Sequence, residues 1–409
     1  MELLRKKWHQ LVVIGNGFDR ECGLPSRFSD FAAARESMLR SFLDSDEKAI
    51  VDDPSLLSNR WPHLTLWDVL LANEQGLRWY DVEAAIESWV VPEPEDEVNI
   101  VLMNRLSLLR EAIKALTKGD GKTGGYFGPD AKPVEIGWGS DSMYHAAARY
   151  IFASRGFDNA PDEEDALLDF MLNELHRLES EFGSYLSREV ERLETYRTDA
   201  QKLVFTLLAD HCVDEKDFEI RESVLSFNYT RPSESWRRGS TPIAFTNVHG
   251  QLGGQIVFGI DGRGIMDEER AVSFTKTYRS MGLDPELMRD IIHPFSASLA
   301  SGETDQIKFY GHSLSEADYS YFQALFDSVR LYEGRTRLIF YYRPHGDKGD
   351  LEEQKRSARE DMMRKVTRLL VTYGCTMDNE DHGDNLIHKL LLEGRLMVLE
   401  LPKGLVVGS

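Results

Sequence analysis

The chain has 409 residues, 42% hydrophobic and 29% charged, a composition ordinary for a folded protein and too long for one small domain. Its 69 acidic and 48 basic residues give a net charge of −21, an average field that repels polyanions and argues against a general nucleic-acid or acidic-membrane binder. The three cysteines, Cys22, Cys212 and Cys375, form no Cys-x-x-Cys pair, so neither a zinc ribbon nor a disulfide framework is expected.

The first element is Leu11-Val12-Val13-Ile14, a short apolar run set against Gly15-Asn16-Gly17 and followed by a helical pattern. A strand, a glycine turn and a helix make the opening half of a βαβ unit. The run is too short for a secretory core or a membrane span, and no stretch of about 18 apolar residues occurs. A cytoplasmic protein is expected.

From about residue 35 the pattern turns helical. Trp79-Tyr80-Asp81-Val82-Glu83 leads into one amphipathic segment, and Asn99 to Leu116 forms another. The clearest helix runs from Pro161 to about Thr195, where Leu168, Met171, Leu175, Leu178, Phe182, Leu186, Val190 and Leu193 form one stripe. Pro161 and the acidic residues 162–165 suit its first turn. Residues 35–215 are therefore expected as a helical lobe inserted into a discontinuous core of residues 1–34 and 216–409. Within the lobe, Lys118 to Ser140 holds seven glycines and two prolines and is expected to be a surface loop.

Strand-like runs return at Ser223–Asn228, Ile243–His249, Gln255–Ile260, Ile307–Tyr310 and Arg337–Tyr342. They alternate with helical stretches such as Tyr319–Leu331 and Gln354–Thr372. That rhythm predicts an α/β fold built on a mostly parallel, Rossmann-like sheet. Glycine or polar residues close several strands: Gly15, Asn228, His249-Gly250, Gly259 and Gly311-His312-Ser313. In open α/β sheets the ligand crevice lies at the carboxyl ends of the strands, so these residues are expected to converge.

Each candidate has a functional and a structural reading. Gly15-Asn16-Gly17 could let backbone approach a phosphate at a helix N-terminus, or could be a tight turn only. Gly23-Leu24-Pro25 could complete that loop or end the first helix. Asn228 could aim an amide at a sugar or a water, or cap a following helix. His249 titrates near neutrality and suits a general base, or is an ordinary buried histidine. Ser313, Ser315, Glu316 and Asp318 offer groups to a ribose, or cap the next helix.

Together these pieces resemble the bacterial AbiH family of phage abortive-infection proteins. The resemblance rests on Ile14-Gly15-Asn16-Gly17-Phe18-Asp19, Gly23-Leu24-Pro25, Phe28-Ser29-Asp30-Phe31 and Asp81-Val82-Glu83. Phe227-Asn228-Tyr229-Thr230, Val248-His249-Gly250, Phe258-Gly259-Ile260-Asp261 and Gly311-His312-Ser313-Leu314 come after them in the same order. The core also resembles sirtuin-type NAD-binding domains, in which Gly15, Gly17 and Gly23-Leu24-Pro25 match the first motif. Asn228, with Glu234 six residues on, His249-Gly250 and Gly311-His312-Ser313-Leu314 match the later ones. Three places depart: Asp19 replaces a serine, Ser26-Arg27-Phe28 replaces the Asp-Phe-Arg that usually follows the Gly-Ile-Pro motif, and Thr230 stands where an aspartate is usual. The zinc ribbon is absent from the sequence, so protein deacylation is not expected.

The resemblance implies NAD as ligand or substrate, with no metal. Gly15, Asn16, Gly17, Phe18, Gly23 and Pro25 would hold the dinucleotide with Gly311, His312, Ser313 and Leu314. Asn228, His249 and Asp19 would carry the chemistry: positioning water or ribose, acting as base, and stabilising developing positive charge. The partners it implies are a small-molecule dinucleotide, a phage trigger protein or signal, and further copies of the chain, with no membrane or direct nucleic-acid contact. The alternatives are a nucleotide sensor that does not cleave its ligand, and a metal-dependent nuclease using Asp378, Glu380, Asp381, His382 and Asp384. That last cluster reads more simply as a polar loop.

Overall fold

The computed structural model describes residues 6–45, 55–74, 82–91, 105–117, 140–155, 160–161, 163–214, 216–233, 236–238, 241–263, 265, 270–283, 291–294, 303–344 and 350–402. These fall into two units. One comprises Met1–Ser26, Leu186–Ile256 and Ser280–Ser409, and the other Arg27–Tyr185 and Val257–Arg279. The glycine-rich segment 118–139, Asp81 and Glu234 lie outside the described residues.

The first unit is a six-stranded sheet covered by helices. Its strands are β1 (Lys6–Ile14), β2 (Phe218–Ser226), β3 (Ala244–Asn247), β4 (Thr304–Tyr310), β5 (Arg337–Tyr342) and β6 (Leu396–Glu400). They lie in the order β3-β2-β1-β4-β5-β6, and every neighbouring pair is parallel. This is the doubly wound order of Rossmann folds, with its switch point between β1 and β4. The helices are α1 (Asn16–Glu21), α2 (Tyr196–Ala209), α3 (Tyr319–Ser328), α4 (Leu351–Gly374) and α5 (Glu380–Leu392).

Strand side chains alternate between two cores because Cβ direction alternates along a strand. Leu11, Val13, Leu225, Phe309 and Phe340 pack with α3, α4 and α5. Val12, Ile14, Val224, Ile339 and Tyr341 pack on the opposite side with Phe18 of α1 and Leu203, Val204 and Leu207 of α2. Burying both faces explains why these strands read as continuous apolar runs. Polar side chains also enter the sheet's interior, Lys308 and Gln10 among them. The fully buried Lys308 ammonium donates to Gln10 Oε1 at 2.7 Å and to the Leu207 carbonyl at 2.7 Å, so a cation sits on the last carbonyls of α2.

The expected strand at Gln255–Ile260 does not join the sheet. Ile256 makes only an isolated antiparallel bridge with Gly250, and Ile260 only an isolated parallel bridge with Thr275. Gly253 and Gly254 turn the chain, and Ile256 and Val257 straddle the boundary between the units. Gly259 is therefore not at a strand end of the sheet. Strand β6 gave no comparable sequence signal, being five half-buried residues at a sheet edge.

The second unit is helical, with helices Phe28–Leu43, Ser55–Arg60, Leu66–Glu74, Val82–Val90, Arg105–Thr117, Ser140–Arg155 and the first part of Glu164–Arg192. The long helix begins three residues after Pro161, and Leu168, Met171, Leu175, Leu178 and Phe182 of its stripe are buried. Two buried ion pairs stand in this unit. Arg35 meets Asp68 at 2.6 Å, and Arg279 meets Glu179 at 2.6 Å while Glu179 accepts the Phe258 amide. Buried charges persist only when paired in this way.

Candidate functional site

Register brings the strand ends together. Ile14 pairs with both Ser226 and Tyr310, and Ser226 pairs with Asn247. These four residues form one row across the sheet. The residues next in the chain therefore emerge at the same carboxyl edge: Gly15, Phe227-Asn228, Val248-His249 and Gly311-His312. Backbone bonds extend the order past the row. Phe227 N donates to Ile14 O, Val248 N to Ser226 O and Gly15 N to Tyr310 O.

At the switch point the two glycine loops pack on each other. Gly17 N donates to Gly311 O at 2.7 Å. A Cβ on Gly15 would stand 2.7 Å from His312 Cα, and one on Gly17 would stand 2.7 Å from Gly311 Cα. Gly311 has φ +72°, and a Cβ there would lie 2.3 Å from Phe18 N. The glycines thus permit a backbone-to-backbone approach. The Gly17 amide is engaged by Gly311 and the Phe18 amide by Gly15 O, which narrows the donors open to an anion. Phe18 itself is fully buried core.

Gly23-Leu24-Pro25 ends α1. Leu24 N donates to Asp19 O and Gly23 N to Arg20 O, both at 3.0 Å, with Gly23 at φ +83°. That is a Schellman cap, in which glycine is favoured by its left-handed backbone. Asn16 is exposed, and its amide bonds the Ser26 carbonyl at 3.0 Å.

Asp19 lies on the inner side of α1, 2% exposed. Its carboxylate accepts from Tyr196 Oη at 2.7 Å and from Thr230 Oγ1 at 2.9 Å. Burial pushes its pKa up to about 6, against these hydrogen bonds and the nearby Asn228 amide, which favour the charged form. Asp19 is thereby set near neutrality.

Asn228 is followed by an irregular turn, not by a helix it could cap. Its backbone carbonyl accepts from Asn247 Nδ2 at 2.6 Å, which pins the loop to the end of β3. The side chain belongs to a residue only 5% exposed, and its Nδ2 faces the Asp19 carboxylate without closing a full hydrogen bond among the described residues. A buried donor left unbonded costs about 1–3 kcal/mol, so such groups are rare without a purpose.

His249 is 3% exposed. Its Nε2 lies 3.0 Å from Asp318 Oδ1, and the second carboxylate oxygen lies 3.3 Å from His312 Nε2. Phe227 packs against both imidazoles, with ring centroids 5.6 and 4.4 Å away. Ser313 is exposed and meets Ser315 Oγ at 3.1 Å, while Leu314 is buried. The capping role weighed for Ser315 and Asp318 is not taken up, since neither side chain bonds a helix amide.

Asp318, weighed from the sequence only as a ribose contact or a helix cap, and Tyr196, not singled out there, complete the site. An aspartate before a helix looks like a cap, and Tyr196 sits in a polar helix start; only tertiary contact distinguishes them. The acidic cluster near the C-terminus is a correction. Glu380 and Asp381 form the first turn of α5, where carboxylates suit the helix dipole, and Asn379 caps it. His382 stacks on Tyr332 with centroids 4.0 Å apart. Among the described residues no group of three or more His, Cys, Asp or Glu is arranged to hold a metal ion. Nor is any described helix long and apolar enough to cross a membrane.

No curated protein and no solved structure is significantly similar to the chain. The model of the family described as bacteriophage abortive infection AbiH matches residues 11–342, from the second half of β1 through β5 and including every strand end of the site, and the chain belongs to that family.

Proposed function

We propose that this abortive-infection protein binds NAD⁺ at the switch point of its sheet and hydrolyses the nicotinamide–ribose bond. Water adds to the ribose anomeric carbon, nicotinamide departs with the bonding pair, and ADP-ribose and a proton are released. The sequence likeness to sirtuin-type domains and the doubly wound strand order support a dinucleotide ligand.

The observation that carries the reading is the Asn228 amide, buried at the strand ends with Nδ2 unbonded. It is a donor prepared for an acceptor such as a ribose hydroxyl or a water. His249 serves as base toward that hydroxyl or water, an effect of about 10²–10⁴-fold. Asp19 supplies negative charge facing an oxocarbenium-like state. Because Gly15 and Gly17 pack on Gly311 and His312, diphosphate contacts fall mainly to Asn16 and Ser313, which are exposed.

Nicotinamide release from NAD⁺ by purified protein, with and without phage components, tests the reading. Release that is lost in His249→Ala is expected. If no component elicits release and His249→Ala still protects cells from phage, the catalytic reading fails. A sensor that binds without cleaving is the second reading, favoured by the near-complete burial of His249 and Asp19. Calorimetric binding with no turnover under any trigger would select it.

A further inference from the structure

We propose that Asp318 is a positioning residue that holds His249 with its proton on Nε2, making Nδ1 the basic nitrogen, and that His312 in turn anchors Asp318. Aspartate at a helix N-cap ordinarily accepts a first-turn amide. Asp318 occupies that position before α3 and makes no such bond. Its carboxylate turns inward instead, between two imidazoles.

The donors fix the proton positions. The Leu314 amide donates to His312 Nδ1 at 2.9 Å. A neutral His312 therefore carries its proton on Nε2, the nitrogen that lies 3.3 Å from Asp318 Oδ2. An ionised carboxylate only accepts, so the nitrogen 3.0 Å from Oδ1, His249 Nε2, donates as well. A neutral His249 then has its lone pair on Nδ1.

The relay is held firmly. Leu314 has φ +56°, a left-handed conformation unfavourable for leucine, and that backbone aims its amide at His312. The Tyr321 ring stands edge-on to His249 with centroids 5.3 Å apart. Two imidazoles on one carboxylate fix both its position and its plane, which a single partner would not.

The catalytic consequence rests on the proposed NAD⁺ hydrolysis; the tautomer does not. Long-range proton–nitrogen NMR on the full chain with ¹⁵N-labelled histidine reads it, His249→Gln identifying the signals. At neutral pH the wild-type His249 ring is expected with Nε2 protonated and Nδ1 bare. In Asp318→Asn that preference is expected to be lost. Nicotinamide release should then drop about 10²–10⁴-fold in kcat with KM roughly unchanged, and Asp318→Glu should recover part of it. A wild-type His249 protonated on Nδ1, or a tautomer unchanged by Asp318→Asn, overturns the assignment. Should Asp318→Asn fail to fold, the wild-type spectrum decides. The expected tautomer together with no NAD⁺ cleavage under any trigger would sink the enzymatic reading alone.

Discussion

Asp19 and Thr230 stand 211 positions apart in the chain, and the threonine hydroxyl donates to the aspartate carboxylate at 2.9 Å. In the sequence resemblance to sirtuin-type domains these are two of the positions that depart, serine being usual at the first and aspartate at the second. In this chain the carboxylate of α1 and the hydroxyl of the loop after β2 form one buried pair.

Thr230→Val removes one donor from a buried carboxylate. A loss of about 1–3 kcal/mol is expected in urea unfolding, with Thr230→Ser retaining most of the stability. Equal losses for Val and Ser would mean that the bond contributes little and the methyl group dominates.

Acid should act on the sheet unit through two groups of opposite sign. Burial, with the charges of His293 and Arg221, lowers the His9 pKa to about 3. Its contribution is complete above the ordinary histidine value and is lost as pH falls from about 6.5 toward 3. Asp19, raised to about 6, binds its proton more tightly when folded, so it adds stability as pH falls from about 6 toward 4. Between about pH 7 and pH 5 the urea midpoint should therefore fall more steeply in Asp19→Asn than in wild type, and less steeply in His9→Gln. Parallel curves for all three proteins would remove both assignments.

The sheet was legible because its strands are buried on both faces and punctuated by glycine, as at Ile14-Gly15 and Tyr310-Gly311. Periodicity also found the long helix, since Leu168 to Phe182 keep one face buried. It overreached at Gln255–Ile260, where apolar residues are buried without a neighbouring strand to pair with. Local pattern also could not tell Asp318 the cap from Asp318 the histidine partner, because both uses place an acid just before a helix. For Gly23 the local reading sufficed, since ending a helix needs no distant residue.

The glycines should separate into two classes. Gly311→Ala combines φ +72° with a Cβ 2.3 Å from Phe18 N, whereas Gly253 has φ +83° with open space around it. Gly253→Ala is expected to cost about 1–2 kcal/mol for its backbone alone. Gly311→Ala must also part the two switch-point loops and should cost at least about 3 kcal/mol. Thermal unfolding of both variants tests this, and similar melting temperatures would show that the loops separate easily.

Asn228 should trade stability against binding. Its Nδ2 closes no full hydrogen bond among the described residues and only faces the Asp19 carboxylate, so Asn228→Ala should cost at most about 1 kcal/mol without added NAD⁺. A ligand that binds the folded state alone raises stability in proportion to its affinity, and wild type should melt higher as NAD⁺ is added. In Asn228→Ala that increment should shrink or vanish, because the amide is the donor assigned to the ligand. Asn247→Ala, which removes both the donor to the Asn228 carbonyl at 2.6 Å and the one to the Thr230 carbonyl at 2.9 Å, should behave oppositely and lose stability with or without NAD⁺. If Asn228→Ala melts as low as Asn247→Ala yet keeps the full NAD⁺ increment, then Asn228 is a structural residue and the dinucleotide contacts lie elsewhere.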